Sequence, residues 1–211
     1  LSGLVTRALE QGADLVEVRF DYLKEDIKPH RVGLELEGLL DQCVFTLRHR
    51  EEGGHFQGGE DARRALLLSL SRLEPAYLDL ELAVAESAPG FLNELKGVGT
   101  RLILSWHDFK ATPSEAELLR RAEAAWRLGG VAKLVTTATS FEDNLRLLQL
   151  YRASRKHGLI AFCMGELGLP SRILAPLLGA PFTYARLEGE GTAPGQPTVK
   201  ELRRLYALLP H

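Results

Sequence analysis

The chain has 211 residues, 45% hydrophobic and 26% charged, with a formal net charge of -2. That length and balance suit a globular chain with one large core. No block of like charge offers a footprint for nucleic acid or a membrane surface, so neither is expected as a partner.

No apolar run approaches the roughly 20 residues that span a bilayer, and the first residues do not read as a secretory leader. Cys43 and Cys163 each lie inside an apolar run. Two isolated cysteines of that kind are expected to be reduced core residues of a cytoplasmic protein.

Taken in chain order, the predicted elements alternate. A helix over residues 4–11 leads into a strand at 14–20. Strands follow at 43–48, 77–82, 101–106, 132–136, 159–164 and 182–185. Helical periodicity covers 61–72, 90–95, 114–128, 140–156, 171–178 and 198–209. Thr112-Pro113-Ser114-Glu115 supplies a helix start, as does Ser140-Phe141-Glu142-Asp143, with Leu145, Leu148 and Tyr151 on one face behind it. Gly129-Gly130 and Gly158 are expected to stop the helices before 132–136 and 159–164. Repeated βαβ units imply a parallel sheet in a single domain over 1–211, either an α/β barrel or a doubly wound open sheet. An eight-stranded barrel needs one strand more than the seven legible here. The one expected before the first helix is missing from the sequence.

Side chains two apart on a strand share a face. Glu17, Arg19 and Asp21 therefore share one face of the first strand, opposite Val16, Val18 and Phe20. Asp79 pairs with Glu81 in the same way, Thr46 with Arg48, and Ser105 with His107. Where helices cover the outside of a sheet, such a polar face points inward. Buried charges cost several kcal/mol unless paired, so these residues predict a site or, failing that, a structural ion-pair network.

Lys133 lies in Val131-Ala132-Lys133-Leu134-Val135. Either it snorkels to solvent, or it is a desolvated amine near arginines, kept neutral and nucleophilic. His107 ends its strand and suits proton transfer, with Glu52 a candidate to orient its ring. The Gly-rich stretch 52–59 lacks the Lys-Ser or Lys-Thr ending of a phosphate cradle, and His49, His55 and the neighbouring glutamates match no zinc spacing. No metal is expected. The Gly/Pro-rich segment 186–198 reads as a solvent loop or a lid.

Several motifs then recur together. They are Glu17-Val18-Arg19-Phe20-Asp21, Phe45-Thr46-Leu47-Arg48 with Glu52-Gly53-Gly54, Asp79-Leu80-Glu81, and Ser105-Trp106-His107-Asp108-Phe109 with Thr112-Pro113. Lys133, Met164-Gly165, Ser171-Arg172 and Ala193-Pro194-Gly195-Gln196 complete the series. In this order they resemble type I 3-dehydroquinate dehydratase, over nearly the whole chain.

The resemblance implies a (β/α)8 TIM barrel, here lacking its first strand, that converts 3-dehydroquinate to 3-dehydroshikimate and water in the shikimate pathway. It implies Lys133 as the imine-forming lysine, His107 as general acid and base, and Glu52 as the partner of that histidine. Glu17 and Arg48 match residues that hold substrate hydroxyls, Arg19 belongs to the same group, and Arg172 matches the clamp on the substrate carboxylate. Gln196 matches a lid residue, and Thr192 stands where the family often has Ser. No cofactor is implied, and members are often homodimers. An aldolase-type Schiff-base barrel and a non-catalytic sugar-acid-binding barrel are the alternatives.

Overall fold

The computed structural model describes residues 1–23, 26–189 and 195–208. Its strands are β1 (Val16–Arg19), β2 (Cys43–Thr46), β3 (Tyr77–Glu81), β4 (Leu102–His107), β5 (Val131–Thr137) and β6 (Leu159–Met164). They follow the chain in order along the sheet. The chain divides into two compact units, Leu1–Leu104 and Ser105–His211, and the boundary falls inside β4.

In the first unit, β1 pairs in parallel with β2, Val16 opposite Cys43, and β2 with β3, Val44 opposite Tyr77. The helices here are α1 (Ser2–Glu10), α2 (Pro29–Glu35), α3 (Glu60–Ser71), α4 (Leu82–Ser87) and α5 (Pro89–Val98). Phe20 meets Phe45 edge to face at 4.9 Å within a core that includes Leu47, Leu67, Leu70, Leu78 and Leu80. All five residues of β3 are buried, Asp79 and Glu81 among them, so its polar face does not open to water. Helices α2 and α4 were not expected. Each spans fewer than two full turns, too short for a periodic signal, and Leu82-Ala83-Val84-Ala85 reads as a continuation of β3.

In the second unit, β5 and β6 pair in parallel along six residues, Lys133 opposite Ile160. Around them lie α6 (Glu115–Arg127), α7 (Glu142–Gln149), α8 (Leu169–Leu174) and α9 (Val199–Tyr206). The Ser114 side chain caps α6 by accepting from Glu117 N, and Gly129 follows the helix in the left-handed region at φ 79°. Thr112 does not cap the helix but joins the end of β5, its hydroxyl 2.8 Å from that of Thr136 and 2.9 Å from the carbonyl of Thr137. Thr198 and Glu201 form a reciprocal capping box on α9.

Three expectations need correction. Residues 182–185 form no strand: their side chains are partly exposed, Tyr184 O accepts from the Arg172 guanidinium, and the Thr183 hydroxyl donates to Arg172 O. Gly158 does not cap a helix. Helix α7 ends at Gln149 and a 3-10 turn at Arg152, whereas a Cβ at Gly158 would stand 2.9 Å from the side chain of Val131, so close packing is what requires glycine. The buried stripe of α7 is Asp143, Asn144 and Leu147, and Leu145 is exposed. Polar residues take the inward stripe because the backbone satisfies them. Asp143 accepts from Thr139 N and Ser140 N, and Asn144 donates to Leu167 O while accepting from Ser171 N.

Candidate active site

The first unit gathers charge at the C-terminal ends of β1, β2 and β3. Arg48, just beyond β2, is 3% exposed. Its Nη2 lies 2.8 Å from Asp79 Oδ1, and its Nη1 3.5 Å from Glu81 Oε1 and 3.9 Å from Glu52 Oε2. Burial alone would weaken the Arg48 cation, but Asp79, Glu81, Glu17 and Glu52 outweigh it and raise the guanidinium pKa. Glu17 accepts from the Thr46 hydroxyl at 2.9 Å, across the β1–β2 pair.

Arg19 holds Asp21 with both edges of its fork, Nε to Oδ1 at 2.9 Å and Nη2 to Oδ2 at 2.7 Å. Burial pushes the Asp21 carboxyl up, yet Arg19 and the backbone N–H groups of Arg48 and His55 hold it below the ordinary carboxylate range. The carboxylate thus ties β1 to the loop that carries Arg48 and Glu52.

One member of this cluster was not foreseen. Arg63, on α3, is 1% exposed and bonds Glu81 Oε2 at 2.9 Å. A signal existed: Arg63 lies on the same stripe as Leu67 and Leu70, at the i, i+4, i+7 spacing of a core-facing helix. A charge on an apolar stripe marks a buried partner.

In the second unit, Lys133 sits on β5 at 4% exposure, with Nζ 4.3 Å from the centre of the Tyr184 ring. It does not snorkel to solvent. The Tyr184 ring meets Phe162 at 5.9 Å, and Phe162 in turn lies under Arg172, whose Cζ is 4.1 Å from the ring centre. Amine, two rings and guanidinium are linked by successive contacts. Tyr184 was also not foreseen, although its alternation with Phe182 marked an aromatic face.

Arg172, on α8, is 6% exposed and donates to Tyr184 O at 3.0 Å. It pairs with no carboxylate among the described residues. Burial lowers its guanidinium pKa to about 10, with only weak opposition from Cys163 and Tyr184. A desolvated fork of this kind is a receptor for a carboxylate. His107 ends β4 and stacks on Phe109, ring centres 6.0 Å apart.

Gln196 lies beside a short parallel bridge between Arg186 and Thr198, and its carbonyl accepts from Arg186 Nε at 2.9 Å. Thr192 and the middle of the expected lid, 190–194, lie outside the described residues. Lys133 and Arg172 are thus brought together through two rings in the second unit, and Glu17, Arg19, Arg48 and Glu52 through carboxylates in the first.

Comparison with known proteins bears on these clusters. The family model for type I 3-dehydroquinase matches residues 3–211. A 3-dehydroquinate dehydratase of Desulfotalea psychrophila is 42% identical over 205 residues, covering 94% of this chain and 88% of that protein. One from Methanopyrus kandleri is 40% identical over 207 residues, covering 98% and 92%. The crystal structure of the 3-dehydroquinate dehydratase from Aquifex aeolicus superposes with a TM-score of 0.83 at 33% identity, over 99% of this chain and 94% of that one.

Proposed function

Because the chain belongs to the type I 3-dehydroquinase family, we propose that it dehydrates 3-dehydroquinate to 3-dehydroshikimate through an imine on Lys133. The observation that carries this reading is the burial of the Lys133 amine, 4.3 Å from the centre of the Tyr184 ring. An imine forms from a free amine, and burial on β5 keeps the Lys133 amine apart from bulk water.

Lys133 Nζ attacks the substrate ketone, and loss of water gives a cationic imine. The imine draws electrons from the adjacent carbon, whose proton His107 removes to leave an enamine. The enamine pushes out the hydroxyl, which takes a proton from His107 and leaves as water. A second water then hydrolyses the imine, freeing product and restoring Lys133. The net change is loss of one water.

The remaining assignments follow the family's motifs. Glu52 orients His107 and stabilises its protonated ring. Glu17 and Arg48 hold substrate hydroxyls, with Arg19 beside them. Arg172 clamps the carboxylate with its planar fork, and Thr192 and Gln196 close over the substrate. Two free, buried cysteines, Cys43 and Cys163, fit a reducing cytoplasm. No helix among the described residues is long and apolar enough to cross a membrane.

A homodimer is part of the same proposal. Leu145 and Leu178 are about half exposed and line one groove with Leu148, Tyr151, Gln149, Arg152 and Arg155, a face of exposed leucines beside two arginines that we assign to a second copy.

The test is borohydride reduction with 3-dehydroquinate, followed by mass mapping. A stable adduct on the peptide containing Lys133 is expected, and Lys133→Ala should lose both adduct and turnover. Turnover without any adduct on Lys133 would overturn the imine.

A further inference from the structure

The cation on α3 has no place in the chemistry above, although it is among the most deeply buried side chains of the chain. Arg63 Nη1 donates to Glu81 Oε2 and to the carbonyl of Leu47, both at 2.9 Å, and its Nε bonds Glu60 Oε2 at 2.8 Å. Glu81 uses its other oxygen on the next stretch of chain, accepting from His49 N at 2.7 Å. The same Oε1 lies 3.5 Å from Arg48 Nη1. Glu81 is therefore shared between two guanidiniums, with a short bond to Arg63 and a long one to Arg48.

A leucine at position 63 would extend the Leu67–Leu70 stripe with no cost in desolvation. A buried guanidinium costs several kcal/mol unless each of its edges is satisfied. Arg63 meets that condition with Glu60 on Nε and Nη2 and, on Nη1, with groups that flank Arg48 on both sides: the carbonyl of Leu47, and the carboxylate that binds His49 N. Withdrawing the Arg63 charge would leave Glu81 with Arg48 as its nearest cation, and the 3.5 Å separation would shorten. The Arg48 fork would then move off its place beside Asp79 and Glu52.

We propose that Arg63, acting through Glu81, sets the position of the Arg48 guanidinium, and so is a positioning residue for substrate binding. This rests on the reading of Arg48 as a substrate contact. Arg63 itself touches no substrate. Its effect should fall on affinity more than on the chemical steps, because a displaced Arg48 weakens binding before and during the reaction alike.

The test compares Michaelis parameters for 3-dehydroquinate dehydration, with thermal melts, across four variants: Arg63→Met, Arg63→Lys, Arg63→Met/Glu81→Gln and Arg48→Lys. Arg63→Met should raise KM about tenfold (~1.4 kcal/mol) and change kcat less than about threefold. Arg63→Lys keeps the charge but not the fork, and should give a smaller rise in KM. The double variant removes both charges while keeping a side-chain oxygen at position 81 that accepts from His49 N, and should recover most of the lost affinity. If Arg63→Met does not fold, Arg63→Lys and the double variant carry the comparison. A lower melting temperature with unchanged KM in every position-63 variant would overturn the inference, as would no recovery in the double variant. Arg48→Lys separates the two readings. If its KM is also unchanged, Arg48 is not a substrate contact. If its KM rises while the position-63 variants stay at wild type, only the Arg63 inference fails.

Discussion

Arg172 carries a positive charge that the folded chain buries and does not neutralise with a carboxylate among the described residues. Such a group opposes folding until a ligand supplies the anion. Its pKa is pushed down to about 10 by burial, so below that pH the folded state holds the charge at a cost. The unfolded chain keeps the ordinary, higher value. The guanidinium keeps its proton across the working pH range, so the cost is present throughout it. Arg172→Met should therefore melt higher than the wild type at neutral pH, by an amount on the order of 1–3 kcal/mol, while losing about a hundredfold or more in kcat/KM. Calorimetry and initial rates on the same preparations check both. Equal melting temperatures at neutral pH would show that the buried charge is already satisfied. The position of Arg172 in the motif series was legible in the sequence. Its burial without a carboxylate was not, because that depends on what the rest of the unit fails to place beside it.

At the scale of elements, the loop after β2 and the start of α7 show how backbone groups recruit side chains. A Cβ on Gly54 would lie 1.9 Å from the carbonyl oxygen of Arg48. The obstacle is backbone and cannot rotate away, so Gly54→Ala must shift the loop that carries Arg48 and Glu52. A fall in kcat/KM of about tenfold or more is expected for this one added methyl, alongside the roughly 1–3 kcal/mol that overpacking costs. Initial rates and urea unfolding measure the two separately. Asp143 shows the complementary case. Burial pushes its carboxyl up, but the N–H groups of Thr139 and Ser140 and the Thr139 hydroxyl outweigh burial and hold it below the ordinary range. Its contribution is therefore complete above the unfolded value, about 3.9, and is lost as the pH falls through the lower folded value. Asp143→Ala should cost ~1–2 kcal/mol in urea unfolding at pH 7, and the gap should close in strong acid. A gap that stays constant with pH would point to packing in place of charge. The alternation of α6, β5, α7 and β6 was readable from periodicity, but the inward face of α7 was not. Asp143 and Asn144 look like surface residues until their backbone partners are known.

At the scale of the whole molecule, the proposed homodimer and a single domain each have a direct test. The division into Leu1–Leu104 and Ser105–His211 falls inside β4. A single domain predicts a single calorimetric transition. Two resolved transitions would separate the units as independent domains. Sedimentation should give twice the mass of the chain, and a charge placed at Leu145, as in Leu145→Glu, should return the monomer without unfolding it. An unchanged sedimentation coefficient in that variant would place the interface elsewhere.

The order of the six strands and of the longer helices, the polar faces of β1 and β3, and the identity of Lys133, His107, Arg48 and Arg172 as residues of interest were determined by the sequence. Each depends on local periodicity or on motifs held in a fixed order. Tertiary structure alone decided that residues 182–185 run without a ladder and that Lys133 lies against an aromatic ring rather than water. It alone decided that an arginine on a helix, Arg63, shares Glu81 with Arg48. These are contacts between residues distant in the chain. Their energies come from desolvation and pairing, which no window of neighbouring residues contains.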